Sequence, residues 1–273
     1  VTSAPRRARV GVAGRGASGA SGRRLRAAAM VAVVGLSTLV GCASGGDDDE
    51  GGDLTVFAAA SLSGAFTKIA EQVERSEPGV SIRLSFGGSN GLVDQIAGGA
   101  PADVFASADV ATMGRAVDAG LVAGEPAPFA TNVLTLITPP GNPAGITGLD
   151  ASLDGARLVV CADAVPCGSA TRELAESAGV ELRPVSEESA VTDVRGKVAS
   201  GEADAGIVYV TDALAVADRV EQVPIAGADT APNVYPIAVL DRAADSGPAR
   251  RFVDAVTGPA GRAVLAEHGF GPP

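Results

Sequence analysis

Short apolar runs alternate with amphipathic stretches along most of this chain. Leu54 to Ala58 is almost wholly apolar and predicts a strand. In Leu62 to Glu74 the apolar residues Leu62, Phe66, Ile69 and Val73 recur at spacings of three and four, which places them on one face of a helix. Val80 to Phe86 sets Val, Ile, Leu and Phe against Ser, Arg and Ser, the alternation of a half-buried strand. Gly87-Gly88-Ser89 then turns the chain into a helix carrying Leu92, Val93 and Ile96. Further strands are predicted at Ala102 to Ala106 and Val133 to Ile137, the latter stopped by Pro139-Pro140-Gly141.

The rhythm starts again after this breaker. Strands are predicted at Arg157 to Cys161, Glu181 to Val185 and Ala205 to Tyr209, with helices at Ser169 to Ala178 and Ala190 to Ser200 between them. A late strand, Tyr235 to Leu240, precedes two closing helices at Ala249 to Val256 and Gly258 to His268. Two βαβ blocks followed by a returning segment predict an α/β protein of two lobes, residues 53–131 with 235–273 forming one and 132–234 the other. Such a fold leaves a ligand cleft between the lobes, at the ends of the strands.

The first fifty residues do not share the pattern. Residues 1–41 hold seven arginines and no acid, and an apolar stretch from Ala27 to Val40 runs into Gly41-Cys42. A basic region, a short apolar core and small residues predict an export signal, shorter than the roughly 20 apolar residues of a membrane span. The Leu-Val-Gly-Cys ending resembles a bacterial lipobox, which implies lipidation of Cys42 and anchoring on the outer face of the cell membrane; an ordinary signal peptide containing a cysteine is the alternative. Residues 42–52, rich in Gly and Asp, have nothing to bury and read as an acidic tether.

The leader holds seven of the 21 basic residues and none of the 32 acidic ones, so the rest of the chain has a formal charge of −18. That balance excludes a nucleic-acid partner and leaves any bound anion to local dipoles and hydroxyls. Cys161 and Cys167, six apart in an exported chain, predict a disulfide. A metal site is the rival reading, with a thin ligand set: the single histidine, His268, is distant, and Asp163 stands alone. His268 is expected at a helix end. No nucleophile elbow, zinc-protease motif or phosphate-binding loop occurs, and no catalytic pair stands out among 32 carboxylates.

Binding has more support. A helix N-terminus presents free backbone N–H groups to an anion. Ser61 stands where the first strand hands over to a helix, and Ser89, after two glycines, repeats the arrangement. Each serine could instead simply cap its helix.

VFAAASL (56–62), FGGSNGLVDQI (86–96), GAPADVFASAD (99–109), DVRGKVASGEADAGIVY (193–209) and GPAGRAVLAEHGF (258–270) resemble the periplasmic molybdate-binding proteins of ABC importers, in family order and over nearly the whole chain from Asp53. The resemblance implies the two-lobed type II periplasmic-binding-protein fold, a molybdate or tungstate ligand, no cofactor, no enzymatic activity, an ABC permease as partner and a monomer. It implies ligand contacts at Ser61 and Ser89 through hydroxyl and N–H, at Cys167 and Val194 through backbone N–H, and at Tyr209 through its phenol. Many relatives carry alanine where this chain has Cys167. Alternatives are a binder of sulfate or phosphate on the same fold, the latter needing a proton acceptor such as Asp163 or Asp193, an extracellular enzyme using carboxylates, and an adhesive lipoprotein. Lobe closure is expected to hinge near 130–133 and 233–235.

Overall fold

The computed structural model describes residues 52–243 and 246–273. The segment expected to be an export signal, Cys42 and all of the expected tether except Gly52 lie outside the described residues. Among those described, no helix is long and apolar enough to cross a membrane.

Two five-stranded sheets carry the fold. The first contains β1 (Asp53–Ala59), β2 (Ser81–Gly87), β3 (Val104–Ala106), β4 (Ala127–Asn132) and β10 (Asn233–Val239), in the order β2-β1-β3-β10-β4. β1 runs parallel to β2 and β3, while β10 is antiparallel to β3 and β4. The second contains β5 (Leu134–Thr138), β6 (Leu158–Cys161), β7 (Ser186–Glu188), β8 (Ala205–Tyr209) and β9 (Glu221–Val223), in the order β7-β6-β8-β5-β9. It repeats the plan: three parallel strands, then antiparallel β5, to which β9 adds an antiparallel edge.

Helices cover both faces of the first sheet, whose strands β1 and β3 are buried on both sides. α1 (Ser63–Ser76) buries Phe66, Ile69 and Val73 as the spacing predicts, and packs with α7 (Gly247–Thr257) and α8 (Pro259–Glu267). Phe66 joins these layers, its ring 5.7 Å from both Phe129 and Phe252. On the opposite face α2 (Ser89–Ala97) and α3 (Val110–Asp118) bury Leu92, Val93, Ile96 and Met113 against Phe57 and Phe105. The second sheet packs with α4 (Pro166–Ala178), α5 (Val191–Ala199) and α6 (Val210–Leu214).

The chain passes between the sheets twice, from Asn132 to Leu134 and from Val223 to Asn233. These crossings lie side by side, since Asn132 and Asn233 are register partners.

Several elements differ from the sequence-based expectation. The strand expected at Glu181 to Val185 forms instead at Ser186–Glu188, an edge position beside β6. Pro184 has no N–H for a ladder, and an edge strand needs no apolar pattern. α4 begins at Pro166 rather than Ser169, because a proline at the first helical position costs no hydrogen bond. α3, β4, α6 and β9 were not expected. β4 reads APFATN without alternation, and α6 and β9 span five and three residues.

Candidate anion-binding site

Four helix starts meet at one cavity between the lobes. Ala60–Leu62 forms a single 3-10 turn between β1 and α1, and Ser61 sits within it. Ser89 is the first residue of α2, Cys167 the second of α4 and Val191 the first of α5. First-turn N–H groups have no acceptor within their own helix, so each of these positions leaves a donor for something else. Tyr209 ends β8 and completes the wall.

The cavity is about 10 Å³, the threshold for one water-sized guest. Its walls include Ser61, Ser89, Ala108, Cys167, Val191 and Tyr209, and no charged side chain. Gly88 lets the lobes meet, because a Cβ there would lie 2.2 Å from the Ser189 carbonyl oxygen. Gly168 plays a similar part under α4, where a Cβ would lie 2.0 Å from the Ala162 oxygen.

Neither serine caps its helix through its side chain. The Ser61 hydroxyl lies 3.0 Å from the phenol oxygen of Tyr235. The buried Ser89 Oγ accepts from the Ala108 N–H at 3.1 Å, which leaves its own proton to give. The Tyr209 hydroxyl is buried without a hydrogen-bond partner. Burial above all, then the neighbouring Tyr235, Asp109 and Asp212, push its pKa well above the ordinary tyrosine value, so it stays a neutral donor; its interaction with the Tyr235 hydroxyl is too long to count as a hydrogen bond, whose limit is 3.5 Å.

Cys161 and Cys167 are joined by a disulfide that fastens the end of β6 to the first turn of α4. No metal-binding group of His, Cys, Asp and Glu exists among the described residues. His268 caps the C-terminal end of α8, its Nδ1 2.8 Å from the Val264 oxygen.

The structure thus brings Ser61, Ser89, Cys167 and Tyr209 together and leaves Val194 out. Val194 is the fourth residue of α5, fully buried in the second-lobe core, where its Cγ1 would lie 2.9 Å from a Cβ on Gly206. Val191 takes its place at the cavity. The signal was present: a helix predicted to begin at Ala190 has its free N–H groups in its first turn, one turn before Val194. Asp163 and Asp193, the acceptors a protonated anion would need, do not line the cavity either. Asp163 is exposed, 3.9 Å from Arg172.

Two α/β lobes joined by paired crossings, with a donor-lined cavity between them, define a two-lobed solute-binding protein. Residues 54–271 match the profile of the bacterial extracellular solute-binding proteins, and the chain belongs to that family. As a solute-binding protein it is not an enzyme.

Among its relatives is the molybdate-binding protein ModA of Mycobacterium bovis, 50% identical over 221 residues, which span 81% of this chain and 85% of that one. The fold resembles that of the Azotobacter vinelandii periplasmic molybdate-binding protein, with a TM-score of 0.71 at 24% identity, covering 81% of this chain and 99% of that one. It also resembles the sulfate-binding protein SubI of Mycobacterium tuberculosis, with a TM-score of 0.66 at 22% identity over 81% and 86% of the two chains. The fold alone therefore does not choose between the two anions.

Proposed function

We propose that this protein captures molybdate, and tungstate with it, and delivers it to an ABC permease. The observation that carries the proposal is the buried, partnerless Tyr209 hydroxyl at a cavity ringed by four helix starts and no charge. An unpaired buried hydroxyl costs about 1–3 kcal/mol, and an oxyanion acceptor removes that cost. Molybdate is a tetrahedral dianion with no proton to donate at neutral pH, so donors alone suit it. The 50% identical molybdate-binding relative supports the choice of molybdate over other tetrahedral anions.

Ser61 and Ser89 would give hydroxyl and N–H, Cys167 and Val191 backbone N–H, and Tyr209 its phenol. Hydrogen bonds to a charged acceptor contribute on the order of 1.5–3 kcal/mol each. Five such positions give about 7.5–15 kcal/mol before the cost of ordering, a range that reaches past the roughly 8 kcal/mol of micromolar binding. The walls belong to two lobes, so a four-oxygen anion is admitted by a small parting about the crossings beside Asn132 and Asn233. Lipidation at Cys42 would hold the monomer at the outer membrane face, with residues 43–52 as its tether.

Thermal unfolding with excess molybdate, tungstate, sulfate and phosphate in turn tests the proposal. Stabilisation by the two larger anions, rising with their concentration, is expected. Stabilisation by sulfate or phosphate alone would reassign the ligand.

A further inference from the structure

A chain of three polar side chains, the buried Asn132 and Tyr235 and the half-buried Ser61, leads from the interlobe crossing to the cavity, and its direction is fixed at one end. The Val133 N–H donates to Asn132 Oδ1 at 3.0 Å, which turns the amide nitrogen the other way. That nitrogen donates to Thr211 Oγ1 at 2.8 Å and to the Tyr235 phenol oxygen at 3.4 Å. An amide nitrogen can only donate, so Tyr235 accepts from below and has its own proton left to give. Ser61 Oγ, 3.0 Å away, is the one acceptor within 3.5 Å among the described residues, and the Tyr209 hydroxyl interacts with Tyr235 only from beyond that distance. The ring of Tyr235 packs in the first-lobe core, with the rings of Phe129, Tyr209 and Phe270 at 6.3, 5.9 and 5.4 Å. If Ser61 gave its proton to Tyr235, the tyrosine proton would be left buried and unpaired, an arrangement that costs free energy.

From this geometry we infer that Asn132 and Tyr235 are positioning residues that polarise a relay, amide N–H to phenol O–H to serine O–H, and so hold Ser61 as a donor facing the cavity. The inference rests on the anion-binding reading above and deepens it by naming the class of anion accepted. A fully deprotonated oxyanion meets a proton at Ser61, and a hydrogen-bearing one, such as hydrogen phosphate, meets a donor where it needs an acceptor. Selection against the protonated anion would then come from the base of the relay, Asn132, which lies at the lobe crossing. Thr211 ties the same amide to α6 of the second lobe, so the relay spans both lobes. Cooperative polarisation along such a chain strengthens each bond in it.

A double-mutant cycle tests the relay. Molybdate affinity is measured by calorimetry for wild type, Tyr235→Phe, Ser61→Ala and the double variant, with sulfate and phosphate as competitors. Tyr235→Phe is expected to weaken molybdate about tenfold, and by less than about twofold when Ser61 is already alanine. Because sulfate and phosphate are close in size, their ratio reads proton exclusion, and it should narrow severalfold in Tyr235→Phe. An equal loss in both backgrounds, or an unchanged ratio, would overturn the inference. Melting the unliganded variants separates a folding defect from a binding one. Should Tyr235→Phe not fold, Asn132→Asp replaces the amide donor by an acceptor and must weaken molybdate, and wild-type affinity there would also overturn it. If wild type took up sulfate and not molybdate, the parent reading would fail, while the same cycle run with sulfate would still decide the relay.

Discussion

Gly88 of the first lobe lies so close to Ser189 of the second that a Cβ built on it would sit 2.2 Å from the Ser189 carbonyl oxygen. Backbone on one lobe therefore touches backbone on the other beside the cavity, and the Ser189 carbonyl, unlike the Asn90 side chain 3.0 Å from the same point, has no rotamer by which to yield. Gly88→Ala should hold the lobes apart and weaken molybdate at least tenfold, while the unliganded melting temperature changes little. Calorimetry and unfolding together check this, and wild-type affinity would show that the contact does not limit closure.

Tyr209→Phe separates stability from binding. Removing a buried hydroxyl that has no partner is neutral or stabilising. Removing a donor to a charged guest should cost about tenfold in affinity. Opposite signs in the two measurements are expected, and a loss of stability without loss of affinity would assign the hydroxyl to the fold.

Ser89→Ala and Ser61→Ala should each affect both binding and stability. Both remove a hydroxyl donor and should weaken molybdate about tenfold. Ser89→Ala also strands the buried Ala108 N–H and Ser61→Ala the buried Tyr235 O–H, so each should lower stability by about 1–3 kcal/mol in denaturant titrations, and unchanged stability would show the corresponding bond to be idle in the unliganded protein.

Reading the sequence reached the architecture because the strands of an α/β core are continuous apolar runs and α1 carries a clean stripe at helical spacing. It did not reach β9 or the true place of β7, since edge strands of three residues, EQV and SEE, are polar and take their register from a neighbour. Ser61 and Ser89 stand out in the sequence as hydroxyls at helix starts, whereas nothing local marks Tyr209, which enters only through the family resemblance. Backbone donors leave no signature of residue type. Val191 and Val194 look alike in the sequence, and only the position of the α5 start distinguishes a cavity wall from core. Tyr235 reads in the sequence as a strand residue at a lobe crossing and not as a partner of Ser61, because that bond joins positions 174 apart.

Replacing Cys161 and Cys167 by serine should lower stability by about 2 kcal/mol, the loop-closure estimate for so short a loop. Because the disulfide fastens the first turn of α4 beside the cavity, molybdate affinity should fall as well, by about threefold to tenfold. Reduction of the wild type should reproduce both changes, and unaltered affinity would show that α4 holds its own position.

Asp212 gives stability an unusual pH dependence. It is buried, and desolvation pushes its pKa up to about 7 against the opposing charge of Arg195, 3.6 Å away. An unfolded aspartate titrates near 3.9, so between about pH 4 and 7 the folded state binds the extra proton. Stability contributed by this group is thus present at low pH and is lost as pH rises through about 7. Carboxylates such as Glu188 and Asp204, whose pKa values are lowered by Lys197 and Arg157, act in the opposite sense at lower pH. Asp212→Asn should flatten the decline between pH 5 and 7, and an unchanged slope would place its origin elsewhere.

The central claim is that this cavity holds molybdate through neutral donors. A calorimetric titration of the purified protein with molybdate, repeated in the presence of sulfate, tests it most directly. One-to-one binding at micromolar affinity or tighter, little changed by excess sulfate, is the predicted result. No heat with molybdate, or its displacement by equimolar sulfate, would contradict the claim.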